Sequence, residues 1–209
     1  MFSSKIICGD CGSYYGPKVW HSNSKYRRVI WQCNHKFEGE HRCRTAHLYE
    51  RDIHDLFLKV FSQVMDYRAS ILEDCRLAVQ TLCNQTELEE KQSSLMDEME
   101  VIGELIRKCV EENGTKAQNQ EEYLQRYERH VDRFERLKKQ YKAIEEERSH
   151  RKDQQNVLEA FIATLEKQVN LPLEFDNDLR IAAIDHVTVN ADETLTFTFQ
   201  NGIEITKCI

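Results

Sequence analysis

The spacing of apolar side chains changes period three times along this chain of 209 residues. Residues 5–44 hold only short apolar runs. Ile6-Ile7 reads as a strand leading into Cys8. Lys18-Val19-Trp20 and Arg28 to Cys33 read as two more, joined by the loop His21-Ser22-Asn23-Ser24-Lys25. From about Tyr49 the period becomes helical. Ile53, Leu56, Val60 and Val64 form a stripe that Phe57 and Phe61 widen, and the helix is expected to continue into Cys83.

The stripe then narrows to a seam. Leu95, Met99, Ile102, Ile106 and Cys109 are spaced alternately four and three residues apart, which is coiled-coil spacing. Glu111 to Lys116 interrupts it, and Gly114 is the expected tip. A second seam follows in Leu124, Tyr127, Val131, Phe134, Tyr141 and Ile144, with Leu137 in between. Two seams of similar length across a short loop predict an antiparallel helical hairpin. A further amphipathic stretch, Val157, Leu158, Phe161, Ile162 and Leu165, is expected to run back as a return helix that ends at Leu171-Pro172. Asp176 is a candidate cap for a short helix over Leu179 to Ala183. The tail alternates: Val187 and Val189, then Leu195, Phe197 and Phe199 between threonines. Asn201-Gly202 is a hairpin turn signal, with Ile203 and Ile205 beyond it.

Composition agrees with helices. Charged residues make up 31% of the chain, and seven glycines and two prolines leave few breakers. No apolar run approaches the roughly 20 residues that span a bilayer, and no signal peptide is visible, so no membrane partner and a cytoplasmic location are expected. The net charge of -7 hides an asymmetry. Residues 1–49 carry eight Lys or Arg against three acids, with four histidines besides; residues 84–150 carry twelve bases against seventeen acids. A basic head suits nucleic acid, whereas the acidic helices do not.

Four cysteines in the first 43 residues carry the clearest chemistry. Cys8 and Cys11 form a Cys-Gly-Asp-Cys-Gly knuckle, and Cys33 and Cys43 complete the set. Four soft ligands with one C-x2-C pair fit a single tetrahedral zinc ion, and Gly9 and Gly12 permit a tight turn. A site filled by four thiolates has no open position, so the metal is expected to be structural. His35 and His41 are near enough in sequence to replace one ligand. The scattered thiols Cys75, Cys83, Cys109 and Cys208 make no second set and point to a reducing compartment. The expected fold is therefore mostly α with a small β part. It comprises a zinc ribbon (1–48), a long base helix (49–87), an antiparallel coiled-coil arm (88–150), and a return helix with a C-terminal β-hairpin near the ribbon (151–209). Hinges at Thr81–Thr86 and Arg148–Gln154 would leave no trace in periodicity.

Between the second and third ligands, bases alternate with aromatics and small polar side chains. Lys18, Lys25, Arg27 and Arg28 can reach phosphates, and His21, Ser22 and Ser24 can read base edges; Arg42 and Arg44 flank the last ligand. The competing reading is a solvated loop on a zinc-stabilised scaffold that binds only protein through its helices. No nucleophile–base pair, paired carboxylates or phosphate-binding loop is present, and an all-cysteine site argues against a metalloenzyme.

Three stretches together resemble one family. Phe2-Ser3-Ser4-Lys5-Ile6-Ile7-Cys8-Gly9-Asp10-Cys11-Gly12 and Tyr26-Arg27-Arg28 to Trp31-Gln32-Cys33 are similar to the recombinase zinc ribbon of large serine recombinases, the phage integrases and transposon recombinases of that class. Phe175-Asp176 through Asp185-His186-Val187-Thr188-Val189 to Phe197-Thr198-Phe199-Gln200-Asn201-Gly202-Ile203-Glu204-Ile205 resembles that family's C-terminal hairpin. The resemblance implies that Cys8, Cys11, Cys33 and Cys43 hold one Zn2+ and that the ribbon docks on half of a double-stranded attachment site. It implies that the coiled coil contacts the coiled coil of another copy to promote synapsis, and that a directionality factor can redirect it. The family's serine catalytic domain and the recombinase domain after it have no counterpart here. The resemblance therefore implies a piece that binds DNA but is not itself an enzyme, with Met1 at its boundary, acting on DNA in a bacterial or phage-infected cell.

Overall fold

The computed structural model describes residues 2–38, 43–82, 84–168, 170–172 and 174–209. The chain is mostly α with a small β part, and it divides into two compact units: residues 1–77 with 157–209, and residues 78–156.

The first unit contains two sheets. β2 (Tyr15–Trp20), β3 (Arg28–Cys33) and β4 (Leu48–Tyr49) form an antiparallel sheet in that order. The second sheet has the order β1-β5-β6-β7, from β1 (Ile6–Cys8), β5 (Ile184–Val189), β6 (Thr194–Phe199) and β7 (Glu204–Cys208). The C-terminal hairpin turns at Asn201-Gly202, where Gly202 has φ +84° and the Asn201 side chain accepts from the Ile203 N–H at 3.2 Å. β1 was expected as part of the ribbon. It instead pairs parallel with β5, placing Ile6 opposite Val187 and Cys8 opposite Val189. A parallel partner from the far end of the chain has no local turn signal, so periodicity cannot reveal it.

Helix α1 (Glu50–Asp66) presents Ile53, Leu56, Phe57, Val60, Phe61 and Val64 to the core, the stripe its spacing predicts. Glu50 and Asp52 in its first turn complement the helix dipole. Fully burying each of these side chains stabilises by about 1.5–3 kcal/mol. The expected single base helix is broken: α1 stops at Tyr67 and α2 (Arg68–Leu82) begins after it, with no glycine or proline to announce the break. Cys83, where that helix was expected to end, lies outside the described residues. Phe161 and Leu165, Phe2, Trp31 and the inward residues of β5 and β6 complete one core. α5 (Asn177–Ala183) is capped as expected, because the Asp176 carboxylate accepts from the N–H groups of Asp178 and Leu179.

The second unit is an antiparallel helical hairpin. α3 (Thr86–Thr115) and the first part of α4 (Gln120–Lys167) are joined by residues 116–119. The turn lies beyond Gly114, which sits in the last turn of α3. The separate return helix predicted from Val157 is the C-terminal part of α4, which runs through Arg148–Gln154 without interruption. Ile102 and Cys109 are buried, whereas Leu95, Met99 and Ile106 are partly exposed. On α4 the inward positions include Tyr123, Tyr127, Phe134, Leu137, Tyr141 and Ile144. Leu124 is half exposed at 50% and Leu137 is the buried residue at 7%, so the inward register enters at Tyr123 and passes through Leu137. Val131 is partly buried beside it.

Polar layers close both ends of this hairpin. Arg148 donates to Gln85 at 3.1 Å, to Glu89 at 2.8 Å and to Gln92. At the tip, Gln118 and Gln120 donate to the Asn113 side chain at 3.0 and 3.1 Å. Each bond loses its partner if one helix slips, so together they fix register.

One histidine at the edge of the core has its charged form disfavoured by burial. His54 stacks on Phe175 at 3.8 Å and packs against Phe2 at 6.0 Å, and its Nε2 is buried with no hydrogen-bond partner among the described residues. Burial holds its pKa below the ordinary 6.5, against the pull of Glu50 and Asp55. The unfolded chain thus takes up the proton more readily. His54's contribution is intact above 6.5 and is lost as pH falls below it. Thermal melts at about pH 7 and about pH 5 are expected to show a smaller drop in Tm for His54→Phe than for the unaltered chain. Equal drops would show that His54 is not desolvated in the fold.

Candidate metal centre and nucleic-acid interface

β1 delivers Cys8 and the chain then reverses within five residues. The Gly12 N–H donates to the Cys8 carbonyl at 2.8 Å, and Gly12 takes φ +73°, which a side chain would disfavour. Gly9 meets the second sheet: its N–H donates to the Val189 carbonyl at 2.9 Å, and a Cβ there would lie 3.0 Å from that oxygen. β3 ends on Cys33, and Cys43 arrives just before β4. The four Sγ atoms lie within 4.8 Å of one another, with Cys11 to Cys33 at 3.5 Å and Cys33 to Cys43 at 3.8 Å. Sulfurs bound tetrahedrally to zinc at about 2.3 Å stand about 3.8 Å apart.

Electrostatics favour a cation there. Burial pushes the Cys33 thiol well above its ordinary range. Cys43 is raised to about 11, chiefly by its interaction with Cys11 and then by burial. Burial also pushes Cys8 upward, but donors led by the Thr45 hydroxyl outweigh it and bring its pKa below the ordinary value. Four thiolates this close repel one another, and a divalent cation at their centre removes the penalty. The donor set therefore fits one structural zinc, which supplies folding free energy and no open coordination position. His35 does not join the cluster, since its ring pairs with Glu38 at 3.6 Å in solvent. His41 lies outside the described residues.

A further set of contacts supports the cysteines, and no spacing in the sequence marks it. Thr45 is fully buried with its hydroxyl 3.3 Å from Cys8 Sγ. Lys36 donates to the Thr45 carbonyl, Tyr15 donates to the Ala46 carbonyl at 2.8 Å, and the Arg44 N–H donates to Asp10 in the knuckle at 2.9 Å. A threonine two residues after a ligand is the only local hint in the sequence.

The structure also sorts the candidate nucleic-acid contacts. His21, Ser22, Ser24, Lys25 and Arg27 lie in the exposed β2–β3 turn. There Ser24 N–H donates to the His21 carbonyl at 3.0 Å, and His21 takes φ 54°. Lys18 and Arg28 project from the strands flanking that turn. Cross-strand pairs share a face, so Trp20 opposite Arg28, Lys18 opposite Ile30, and Tyr49 opposite Ile30 all lie on one side of the sheet. Val19 and Val29 oppose each other on the other side. Arg44 is exposed beside the cluster, and Arg42 lies outside the described residues.

Lys18, Lys25, Arg27, Arg28 and Arg44 have no carboxylate ion-pair partner among the described residues. The helical hairpin differs in part, for Arg107, Arg126, Arg133, Lys142, Arg148 and Arg151 each pair with a glutamate.

Thr45→Val keeps the buried shape and removes the hydroxyl. It is expected to speed zinc transfer to a chromophoric chelator by roughly tenfold, the usual scale for outer-sphere partners. An unchanged rate would show that Thr45 only fills space.

Comparison with known proteins places this site. A solved structure, described as the crystal structure of an LSR–DNA complex, aligns with 93% of this chain at 12% identity and a TM-score of 0.32; the chain spans 54% of that protein's length. No curated protein matches the sequence. Residues 1–62 match the recombinase zinc beta ribbon domain. That segment contains all four clustered cysteines, the unpaired cations and the supporting Thr45, and the N-terminal part of the chain is thus a recombinase zinc beta ribbon.

Proposed function

We propose that this chain is the DNA-binding, synapsis-regulating C-terminal part of a large serine recombinase. The observation that carries the reading is the match of residues 1–62 to the recombinase zinc beta ribbon domain, whose cations Lys18, Lys25, Arg27, Arg28 and Arg44 have no carboxylate partner among the described residues. Zinc held by Cys8, Cys11, Cys33 and Cys43 fixes the ribbon. Lys18, Lys25, Arg27, Arg44 and Arg42 neutralise phosphates of a duplex attachment half-site, and His21, Ser22 and Ser24 approach base edges. Unpaired lysines and arginines have no internal bond to break when they meet a phosphate, and each contact releases counterions.

The helical hairpin serves as a coiled coil that meets the coiled coil of a second copy, with a directionality factor as a further partner. Its acid-rich surface does not bind DNA. Met96, Val101, Leu105, Val110 and Leu124 are exposed apolar side chains on it, suited to contact with another protein surface. Strand exchange itself belongs to the serine catalytic domain of the whole recombinase. The domain reading that goes with this function is ribbon 1–48, a base segment 49–87 that holds α1 and α2, coiled coil 88–150 and return segment 151–209.

Gel-shift titration of the zinc-loaded chain against duplex DNA, over a range of salt, tests the first part. Binding is expected to weaken steeply with salt. Lys25→Ala and Arg27→Ala are each expected to weaken it and to lower the salt slope by about 1. Absent binding at low salt would favour the protein-only scaffold instead. Deleting residues 95–144 is expected to leave DNA affinity intact while abolishing pairing of DNA-bound copies in sedimentation. Loss of DNA binding on deletion would make the hairpin part of the reader.

A further inference from the structure

The unpaired cations of the ribbon are not equivalent. Lys25 and Arg27 stand in an exposed turn; Lys25 lies over the Tyr26 ring, 5.2 Å from its centroid. Arg28 is held differently. Its guanidinium carbon lies 5.5 Å from the centroid of Trp20 and 5.3 Å from that of Tyr49, so two rings grip it. His47 closes the frame. Its ring is 4.8 Å from Trp20 and 5.3 Å from Tyr49, with Nε2 3.4 Å from the Tyr49 hydroxyl. Trp20, Arg28 and Tyr49 come from three neighbouring β-strands and His47 from the segment just before β4.

Aromatic rings hold a guanidinium by cation–π attraction and consume none of its N–H donors. Among the described residues nothing else accepts from Arg28. It therefore presents a planar, pre-oriented donor fork with little rotamer entropy left to lose. A mobile lysine suffices for phosphate, but a fixed fork matches the paired acceptors N7 and O6 of guanine in the major groove, which a two-stranded ribbon can enter. The same rings cannot stack on bases that remain paired within a duplex, so their role is to aim the arginine.

Resting on the DNA-binding reading above, we propose that Arg28 is the base-reading residue of the ribbon, selecting guanine in duplex DNA. Trp20, Tyr49 and His47 are its positioning residues.

The test uses the full zinc-loaded chain and a duplex pool with a randomised central segment, selected by binding and sequenced. The unaltered chain is expected to enrich a guanine at one position, by roughly 5- to 150-fold over the other bases. Arg28→Lys keeps the charge and is expected to lose that preference, while affinity for the unselected pool and its salt slope stay within a few-fold. Trp20→Leu and Tyr49→Leu are expected to blur the same position, and Trp20→Phe and Tyr49→Phe to restore it. Zinc content is read on every variant, so a misfolded ribbon is recognised. An enriched guanine that survives in Arg28→Lys, or a selection with no guanine preference, would overturn the assignment and leave DNA binding standing. No binding of the pool by the unaltered chain would overturn both.

Discussion

The three residues Ile6–Cys8 serve two structures at once, and the first unit depends on that sharing. As β1 they form an edge of the second sheet, parallel to β5. The last of them, Cys8, is a corner of the four-cysteine cluster. The next residue, Gly9, donates its N–H to Val189 at the end of β5, at a separation that would crowd a Cβ against that carbonyl oxygen. The metal centre therefore anchors the two ends of the chain to each other. A ribbon this small buries too little apolar surface to hold its shape alone, and it gains a second support from the sheet against which it is stitched.

From that anchor the division of labour follows physically. The β2–β3 ribbon carries cations without acidic partners and an arginine clasped by aromatic rings. On the helical hairpin, Arg107, Arg126, Arg133, Lys142, Arg148 and Arg151 are engaged with glutamates, and polar layers around Arg148 and Asn113 close its two ends. Desolvating a paired charge yields little, whereas an unpaired one gains its first partner on binding. The acid excess of the hairpin, together with charge pairing, separates the surface suited to nucleic acid from the surface suited to protein.

Local signals were legible in the sequence where a single period or spacing decided the outcome. The α1 stripe from Ile53 to Val64, the Asp176 cap, the Asn201-Gly202 turn and the four clustered cysteines all belong to that class. Signals that depend on distant partners were not. The pairing of Ile6 with Val187 joins opposite ends of the chain. The break at Tyr67 uses ordinary residues, and α4 continues smoothly into the stretch expected as a separate return helix. Leu124 and Tyr123 are adjacent, and the more apolar of the two faces solvent because the heptad register passes through Tyr123 and Leu137. The frame around Arg28 was half visible: Trp20 lay in the basic stretch, whereas His47 and Tyr49 come from beyond the last cysteine and join it only through the sheet.

A cysteine cluster that organises the C-terminal sheet as well as the ribbon must couple the stability of the two. Hydrogen exchange of the chain before and after zinc extraction by a strong chelator measures this directly. Protection is predicted to collapse in Arg28–Cys33 and also in the distant strand Ile184–Val189, while residues 86–115 and 120–156 keep theirs. Unchanged protection of Ile184–Val189 in the metal-free chain would contradict the account, because the second sheet would then stand without the metal.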